Sequence, residues 1–534
     1  MAAALFRSCA AVLLTVLAPL LLPLLFGKSS SRLLALADEE ISGIITRDDF
    51  PPSFIFGAGT SAFQYEGATT EDGRAPCIWD TFAHSGHLNG STADVASDGY
   101  HKYKEDIKHM SEIGLEGYRF SISWSRLLPS GRGPVNPKGL EYYNNVINEL
   151  IKYGIQPFVT IHHYDFPQVL QDEYGGWLSP KIIDDFKEFA EVCFREFGDR
   201  VQHWTTMNEP NVIAMYAFDY GILPPQRCSH PYGNDCKGGN STIEPYIVAH
   251  HMILSHSAAV QIYRTKYQAI QKGKIGINLS TLWSYPLTES IADVLAAKRT
   301  VEFFVGWFVN PIVFGDYPEV MRENAGLRLP SFTKSEFQIV KGSFDFIGIN
   351  YYFSIFSANN YDLVNSNPRD MSGDILAKYT AYKDRAPVDR ILPPSPLPNN
   401  PRGLLKLLKF FKDTYGNPPV YILENGFGIE GKEKLADTDR ISYLSGFIGS
   451  VLKALRDGSD VRGYYIWSFV DQFEFTSGYK LPMGLFRVKF NKGCERVPKK
   501  SAFWYSNFIK NGGVINYNQV DRRPRTQPIS YSSI

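Results

Sequence analysis

At 534 residues, 44% hydrophobic and 14% aromatic, the chain is long enough for a large core and rich in flat apolar faces with a polar edge. Its 55 basic and 55 acidic residues cancel to a formal net charge of zero, which excludes the electrostatic footprint of a nucleic-acid binder. Length alone allows two to four domains, although one α/β barrel with long loops also absorbs it.

The first forty residues, MAAALFRSCAAVLLTVLAPLLLPLLFGKSSSRLLALADEE, read as a processing segment. Arg7 gives a basic start, Ala10 to Phe26 is an apolar run broken by Pro19 and Pro23, and Ala35-Leu36-Ala37 is a small-x-small cleavage site. A signal anchor is the rival, but the two prolines and the following A-x-A favour cleavage. The reading is a secretory signal peptide over 1–37, then one domain over 38–534 with a short polar tail. No later stretch is long and apolar enough to span a bilayer.

Eight short β-rich runs follow in order: 54–62, 117–125, 156–163, 203–210, 275–281, 344–352, 419–426 and 463–470. Most are too apolar to have a wet face, which suggests a sheet covered on both sides. Amphipathic helices lie between them. Leu140, Tyr143, Val146, Ile147, Leu150 and Ile151 mark one, stopped by Gly154. Ser179-Pro180 starts another, with Ile182, Ile183, Phe186 and Phe189 on its buried side. Strand–helix alternation with eight units predicts an α/β fold, a single (β/α)8 (TIM) barrel with long loops on its C-terminal face. The competitor is an open doubly wound sheet, against which no G-x-G-x-x-G follows the first strand. Three long connections, 211–244, 282–332 and 353–401, all follow strands and so belong to the rim where barrel enzymes build their sites. The last, with ILPPSPLPNNP, reads as loop with little regular structure.

Beyond the signal, five cysteines remain, so at least one is unpaired. Cys228 and Cys236 lie in RCSHPYGNDCKGGNS, a loop that gains most from a staple, whereas Cys77, Cys193 and Cys494 read as buried thiols. N-x-S/T sequons at Asn89 and Asn240 sit among Gly and Ser, as surface glycan acceptors should. A third, at Asn278, lies inside a strand and reads as chance.

Two strands end on a glutamate. In TTMNEPN (205–211), Pro210 cannot donate to a sheet ladder, so Glu209 sits at a strand terminus. In YILENGFG (421–428), Glu424 ends an apolar run in the same way. A bare carboxylate there is costly unless solvated, paired or used. A facing pair has a use: one donates a proton to a leaving oxygen while the other attacks or stabilises an oxocarbenium-like centre. Tyr352 and Trp467 at neighbouring strand ends would supply a platform for a sugar ring, and Gln64, His163, Asn350 and Glu474 would bond its hydroxyls. In GYRFSISWS, Arg119 alternates with apolar residues, which points it into the barrel, where a lone cation needs an anion. Glu424 must be ionised to attack, which Arg119 would favour. Glu209 must start protonated, which desolvation and a neighbouring carboxylate would favour.

With FIFGAGTSAFQYEGA, YRFSISWSR, TMNEPN, INYY, ENG and WSFVDQFEF in this order, the chain resembles the plant-type β-glucosidases of glycoside hydrolase family 1 along nearly its whole mature length. The resemblance implies a retaining mechanism with Glu209 as acid/base and Glu424 as nucleophile. It also implies Gln64, His163, Asn208 and Glu474 on glucose hydroxyls, Trp467 beneath the ring, and Asn350 and Tyr352 supporting the nucleophile. Strict alternation would send Asn208 and Glu209 to opposite faces, so both reach the site only if the strand end is kinked.

Four positions depart from the family's commonest pattern: Leu423 for Thr, Gln472 for Asn, Phe475 for Trp and Met483 for Phe. Phe475 matters most, because it keeps an aromatic surface against the sugar but lacks the indole N–H, a loss of about 0.5–1.5 kcal/mol. Acceptance of fucose or galactose therefore becomes a question. A plant subgroup with similar changes includes transglucosidases that use acyl-glucose donors.

No metal or cofactor is expected. His162 and His163 face opposite ways on a strand, and His250, His251 and His256 share a helix as core or surface residues. Trp124, Trp204 and Trp504 read as core, and Arg522, Arg523 and Arg525 as a solvated tail. The expected partner is a small β-glucoside or oligosaccharide, with no nucleic acid and, after signal cleavage, no membrane. The expected destination is the apoplast or cell wall, or the vacuole. A catalytically dead sugar-binding barrel is a third reading, disfavoured because a binder needs neither glutamate.

Overall fold

Runs of β-branched and aromatic residues without a polar face must be covered on both sides, and parallel pairing with helical crossovers does this. The computed structural model describes residues 44–516, except 234–235, 364, 367, 384–385, 388–398 and 429–434. The signal segment, part of ILPPSPLPNNP and the arginine-bearing tail therefore lie outside the described residues. Eight parallel strands follow in chain order: β1 Ile55–Gly59, β2 Gly117–Ser121, β3 Gln156–His162, β4 His203–Asn208, β5 Lys274–Pro286, β6 Phe346–Asn359, β7 Val420–Asn425 and β8 Val461–Trp467. Each pairs with the next, and β8 pairs with β1, so the sheet closes on itself. This is the (β/α)8 barrel expected from the strand count.

The floor of the barrel is solid. Phe158, Phe346, Tyr421, Leu423 and Tyr465 fill it, all at most 4% exposed, with ring centroids 5.0–5.6 Å apart. Glycine makes room for them: a Cβ on Gly57 would meet the Tyr465 ring at 2.5 Å, and one on Gly117 its hydroxyl at 2.7 Å. Above this layer the inward side chains turn polar, beginning with Arg119, Thr160 and Thr205.

The helices close the outside. Pro137–Lys152 starts on Asn136, whose side chain accepts from the Lys138 N–H, and ends before Gly154 at φ 72°. The second expected helix spans Ile182–Phe197, with a turn from Ser179 leading into it. Trp124 and Trp204 are fully buried, and Trp504 packs half-buried on the core.

Two rim connections differ from expectation. β5 and β6 do not stop at the rim but run on to Pro286 and Asn359, paired from Trp283–Ser354 to Pro286–Ser357. The connection after β5 then holds helices Ile291–Val301, Trp307–Phe314 and Glu319–Ala325. The segment after β6 is also less irregular than expected, with Ala377–Thr380 pairing antiparallel onto β6. In the connection after β4, Cys228 and Cys236 are disulfide-bonded, while Cys77, Cys193 and Cys494 are buried free thiols.

Candidate active site

Arg119 on β2 is fully buried and organises the polar layer. Its Nη1 donates to Glu424 Oε1 at 2.5 Å, Nη2 to Asn208 Oδ1 at 2.7 Å and Nε to Thr160 Oγ1 at 3.0 Å. Glu424, at the end of β7, also accepts from the Tyr352 hydroxyl at 2.7 Å. Burial pushes the Glu424 carboxyl up to about 7; Arg119 and Tyr352 oppose this, and Glu209 adds to it. Arg119 favours the charged form, as its inward position implies, but desolvation outweighs it.

Glu209 follows β4 with φ 44° and ψ 54°, the left-handed region that a glutamate adopts only where its surroundings fix it. Its N–H donates to the Asn278 carbonyl at 2.8 Å. This is the kink that alternation required: the β4–β5 register shifts between Thr205 and Asn208, so consecutive residues reach one site. Glu424 is re-aimed similarly, by a shift between Ile422 and Glu424 in the β7–β6 pairing. Glu209 Oε1 accepts from Asn350 Nδ2 at 2.9 Å, and Oε2 accepts from the Tyr164 hydroxyl.

An amide network joins the two glutamates. Asn208 Oδ1 accepts from Arg119, from Asn278 Nδ2 at 2.6 Å and from Asn350 Nδ2 at 3.1 Å, while Asn278 Nδ2 also reaches Asn350 Oδ1 at 2.9 Å. Asn350 thus contacts Glu209, whereas the sequence reading put it beside Glu424. Asn208 Nδ2 donates to His163 Nε2 at 3.0 Å, which places the imidazole proton on Nδ1. His163 Nδ1 is buried without a protein partner, and burial and Arg119 push the imidazole well below its usual range, so it is neutral.

Across the site, Glu474 Oε2 accepts from Gln64 Nε2 at 2.8 Å and from the Trp467 indole N–H at 3.5 Å, and Oε1 from Gln472 Nε2 at 3.3 Å. No cation faces it among these contacts, and desolvation pushes it up to about 8. Trp467 stacks on His163 at 5.6 Å and 14°. Phe475, at φ 46°, lies parallel to His163 at 6.3 Å and to Phe63 at 6.0 Å, against Trp79 at 4.6 Å and Tyr164 at 5.1 Å. Met483 packs against Gly428 beside the Glu424 loop.

Every residue proposed from sequence for catalysis or sugar contact therefore falls in one cluster. Four members were not foreseen: Thr160, Tyr164, Asn278 and, as a partner of Glu474, Gln472. For Asn278 a signal existed, since a polar residue at an inward position of an apolar strand needs partners; as a fully buried side chain, its sequon is sterically closed. Tyr164 follows the two histidines in IHHYDFP and gave none. His250, His251 and His256 serve packing, bonded to the Tyr317 hydroxyl, the Trp177 carbonyl, and Thr206 with the Ser343 carbonyl. Among the described residues no group of three or more His, Cys, Asp or Glu is arranged to hold a metal, and no helix is long and apolar enough to cross a membrane.

Comparison with known proteins agrees with this geometry. The chain is 54% identical over 475 residues to β-glucosidase 22 of Oryza sativa subsp. japonica, covering 88% of this chain and 89% of that protein. It is 55% identical over 471 residues to a cyanidin 3-O-glucoside 7-O-glucosyltransferase (acyl-glucose) of Delphinium grandiflorum, covering 87% and 91%. The crystal structure of rice Os3BGlu6 β-glucosidase superposes with a TM-score of 0.85 at 44% identity, covering 87% of this chain and all of that one. The family model for glycosyl hydrolase family 1 matches residues 46–514. Barrel, strand-end glutamates and these matches together make the chain a member of glycosyl hydrolase family 1.

Proposed function

We propose that the protein is a retaining β-glucosidase that removes terminal β-D-glucosyl residues from small-molecule glucosides or short β-gluco-oligosaccharides. The observation that carries this reading is the pair of strand-end glutamates in unlike settings: Glu424 against the Arg119 guanidinium, Glu209 against two neutral donors. A guanidinium contact favours the anion that attacks the anomeric carbon, and neutral donors suit a group that must gain and lose a proton. In the first step a Glu424 oxygen bonds to the anomeric carbon as Glu209 protonates the leaving oxygen. In the second, water attacks that carbon, Glu209 takes its proton, and Glu424 leaves with the bonding electron pair. Gln64, His163, Asn208, Trp467, Glu474 and Phe475 would hold the glucosyl ring; Asn350 and Tyr352 would hold the two carboxylates.

The test is peptide mass spectrometry after incubation with a 2-deoxy-2-fluoro-β-glucoside bearing an activated leaving group. The expected result is a stable adduct on Glu424. Folded protein that stays unmodified by the gluco, galacto and fuco reagents overturns the reading, while labelling by galacto or fuco alone moves the sugar preference. A second reading, an acyl-glucose-dependent transglucosidase, is favoured by the Delphinium relative: the same intermediate would be discharged by an acceptor hydroxyl. We also propose entry into the secretory pathway with cleavage after Ala37, and glycans on Asn89, which is exposed, and on Asn240. N-terminal sequencing and glycopeptide mapping of protein made in plant cells test these.

A further inference from the structure

We propose that Tyr164 is a positioning residue for the acid/base carboxyl: its hydroxyl donates to Glu209 Oε2 and strengthens Glu209 as an acid in the bond-breaking step. The inference rests on the reading of Glu209 as acid/base. The backbone is the first observation. Tyr164 has φ 72°, a value a bulky residue keeps only where the fold imposes it, and this turn carries the ring out of the β3 line toward the end of β4. The ring is 8% exposed, held between His163 at 5.3 Å and Phe475 at 5.1 Å. The space beside it is lined mainly by apolar and aromatic side chains, Ile78, Trp79, Trp177, Ile213 and Phe218; Gln171 also lines it, yet the phenol donates to Glu209. A buried phenol needs a partner, and Glu209 is the one the structure provides.

Position decides the effect. Asn350 occupies Glu209 Oε1 and Tyr164 occupies Oε2, so both oxygens already face a donor when the carboxyl is ionised. As the O–H bond of Glu209 breaks and its proton passes to the leaving oxygen, negative charge grows on the carboxyl and the Tyr164 bond strengthens. Burial and the nearness of Glu209 raise the Tyr164 phenol well above its usual range, so it keeps its proton and remains a donor. Tyr216 after β4, Tyr352 on β6 and Glu424 on β7 are the other titratable groups near Glu209; Arg119 connects to it through Asn208 and Asn350.

Tyr164→Phe removes one oxygen and keeps the ring. The expected result is a roughly tenfold loss of kcat/KM on alkyl glucosides, which need a full proton, with little change on a dinitrophenyl glucoside. The basic limb of the kcat/KM pH profile should move to higher pH, because a donor that favours the ionised form of the acid is gone. In a Glu209→Gln background the same substitution should have no further effect on leaving-group dependence. An equal loss on all substrates with an unmoved basic limb, or a full effect without Glu209, overturns the proposal. Failure of the underlying reading looks different: Glu209→Gln alone would then hit good and poor leaving groups equally.

Discussion

Glu474 is a carboxyl among amides. Gln64, Gln472 and Trp467 donate to it, no cation contacts it among the described residues, and desolvation pushes it up to about 8. A folded value raised above the unfolded one stabilises the protein fully below about 4.5, and this contribution is lost as pH rises toward 8. Glu474→Gln removes the titration, so its melting temperature should gain on the wild type between pH 5 and 8 and then run parallel. Thermal unfolding across that range, without ligand, checks it; a constant offset would mean the carboxyl does not titrate there. In the proposed enzyme this cost would be offset by a carboxyl that can bond sugar hydroxyls, a trade of stability for binding. At this scale the sequence was most legible where chemistry forces punctuation: a proline after Glu209, a glycine two residues after Glu424. It was least legible where a role depends on orientation. Tyr164 sits in a run where any aromatic would pack, and only its positive φ turns the hydroxyl onto Glu209.

At the scale of elements, the site depends on strands that break their own periodicity. All eight barrel strands could be read from apolar runs, because burial on both faces leaves no alternative composition. Alternation, however, is a rule for regular ladders. The shifts at the ends of β4 and β7 are set by pairing with β5 and β6, partners some 70 residues distant in sequence, which no local pattern records. The same holds for the strand lengths: β5 and β6 outrun the barrel because each supplies the other's hydrogen bonds beyond the rim. Among the described residues the connection after β4 has no such ladder; the Cys228–Cys236 bond, with a sequence separation of 8, closes it beside the Ser229–Ser241 hydrogen bonds and the Arg227–Glu244 pair. Closing so short a loop contributes about 2.5 kcal/mol. A Cys228→Ser, Cys236→Ser variant should therefore melt about 2–3 °C lower and be cut first within 222–244, yet keep its kcat/KM on small aryl glucosides within about twofold. Limited proteolysis with steady-state kinetics tests this; a large loss of activity on such small substrates would mean that the loop shapes the glucosyl site itself.

For the whole molecule, the solid floor under Arg119 governs how material moves. Among the described residues, Phe158, Phe346, Tyr421, Leu423 and Tyr465 fill the barrel floor, so the glutamates face the C-terminal rim. In keeping with the proposed removal of terminal residues, the enzyme should act from chain ends. Hydrolysis of a β-gluco-oligosaccharide should release glucose and chains shorter by one unit; early appearance of mid-chain fragments would contradict this. A chamber with a single door also keeps a queue. The leaving group departs first, water or an acceptor enters over a glucosyl unit still tied to the wall, and glucose comes out last. Any acceptor that lingers in that doorway competes with water for the same bound sugar, so the choice between hydrolysis and transfer passes to the residues of the threshold.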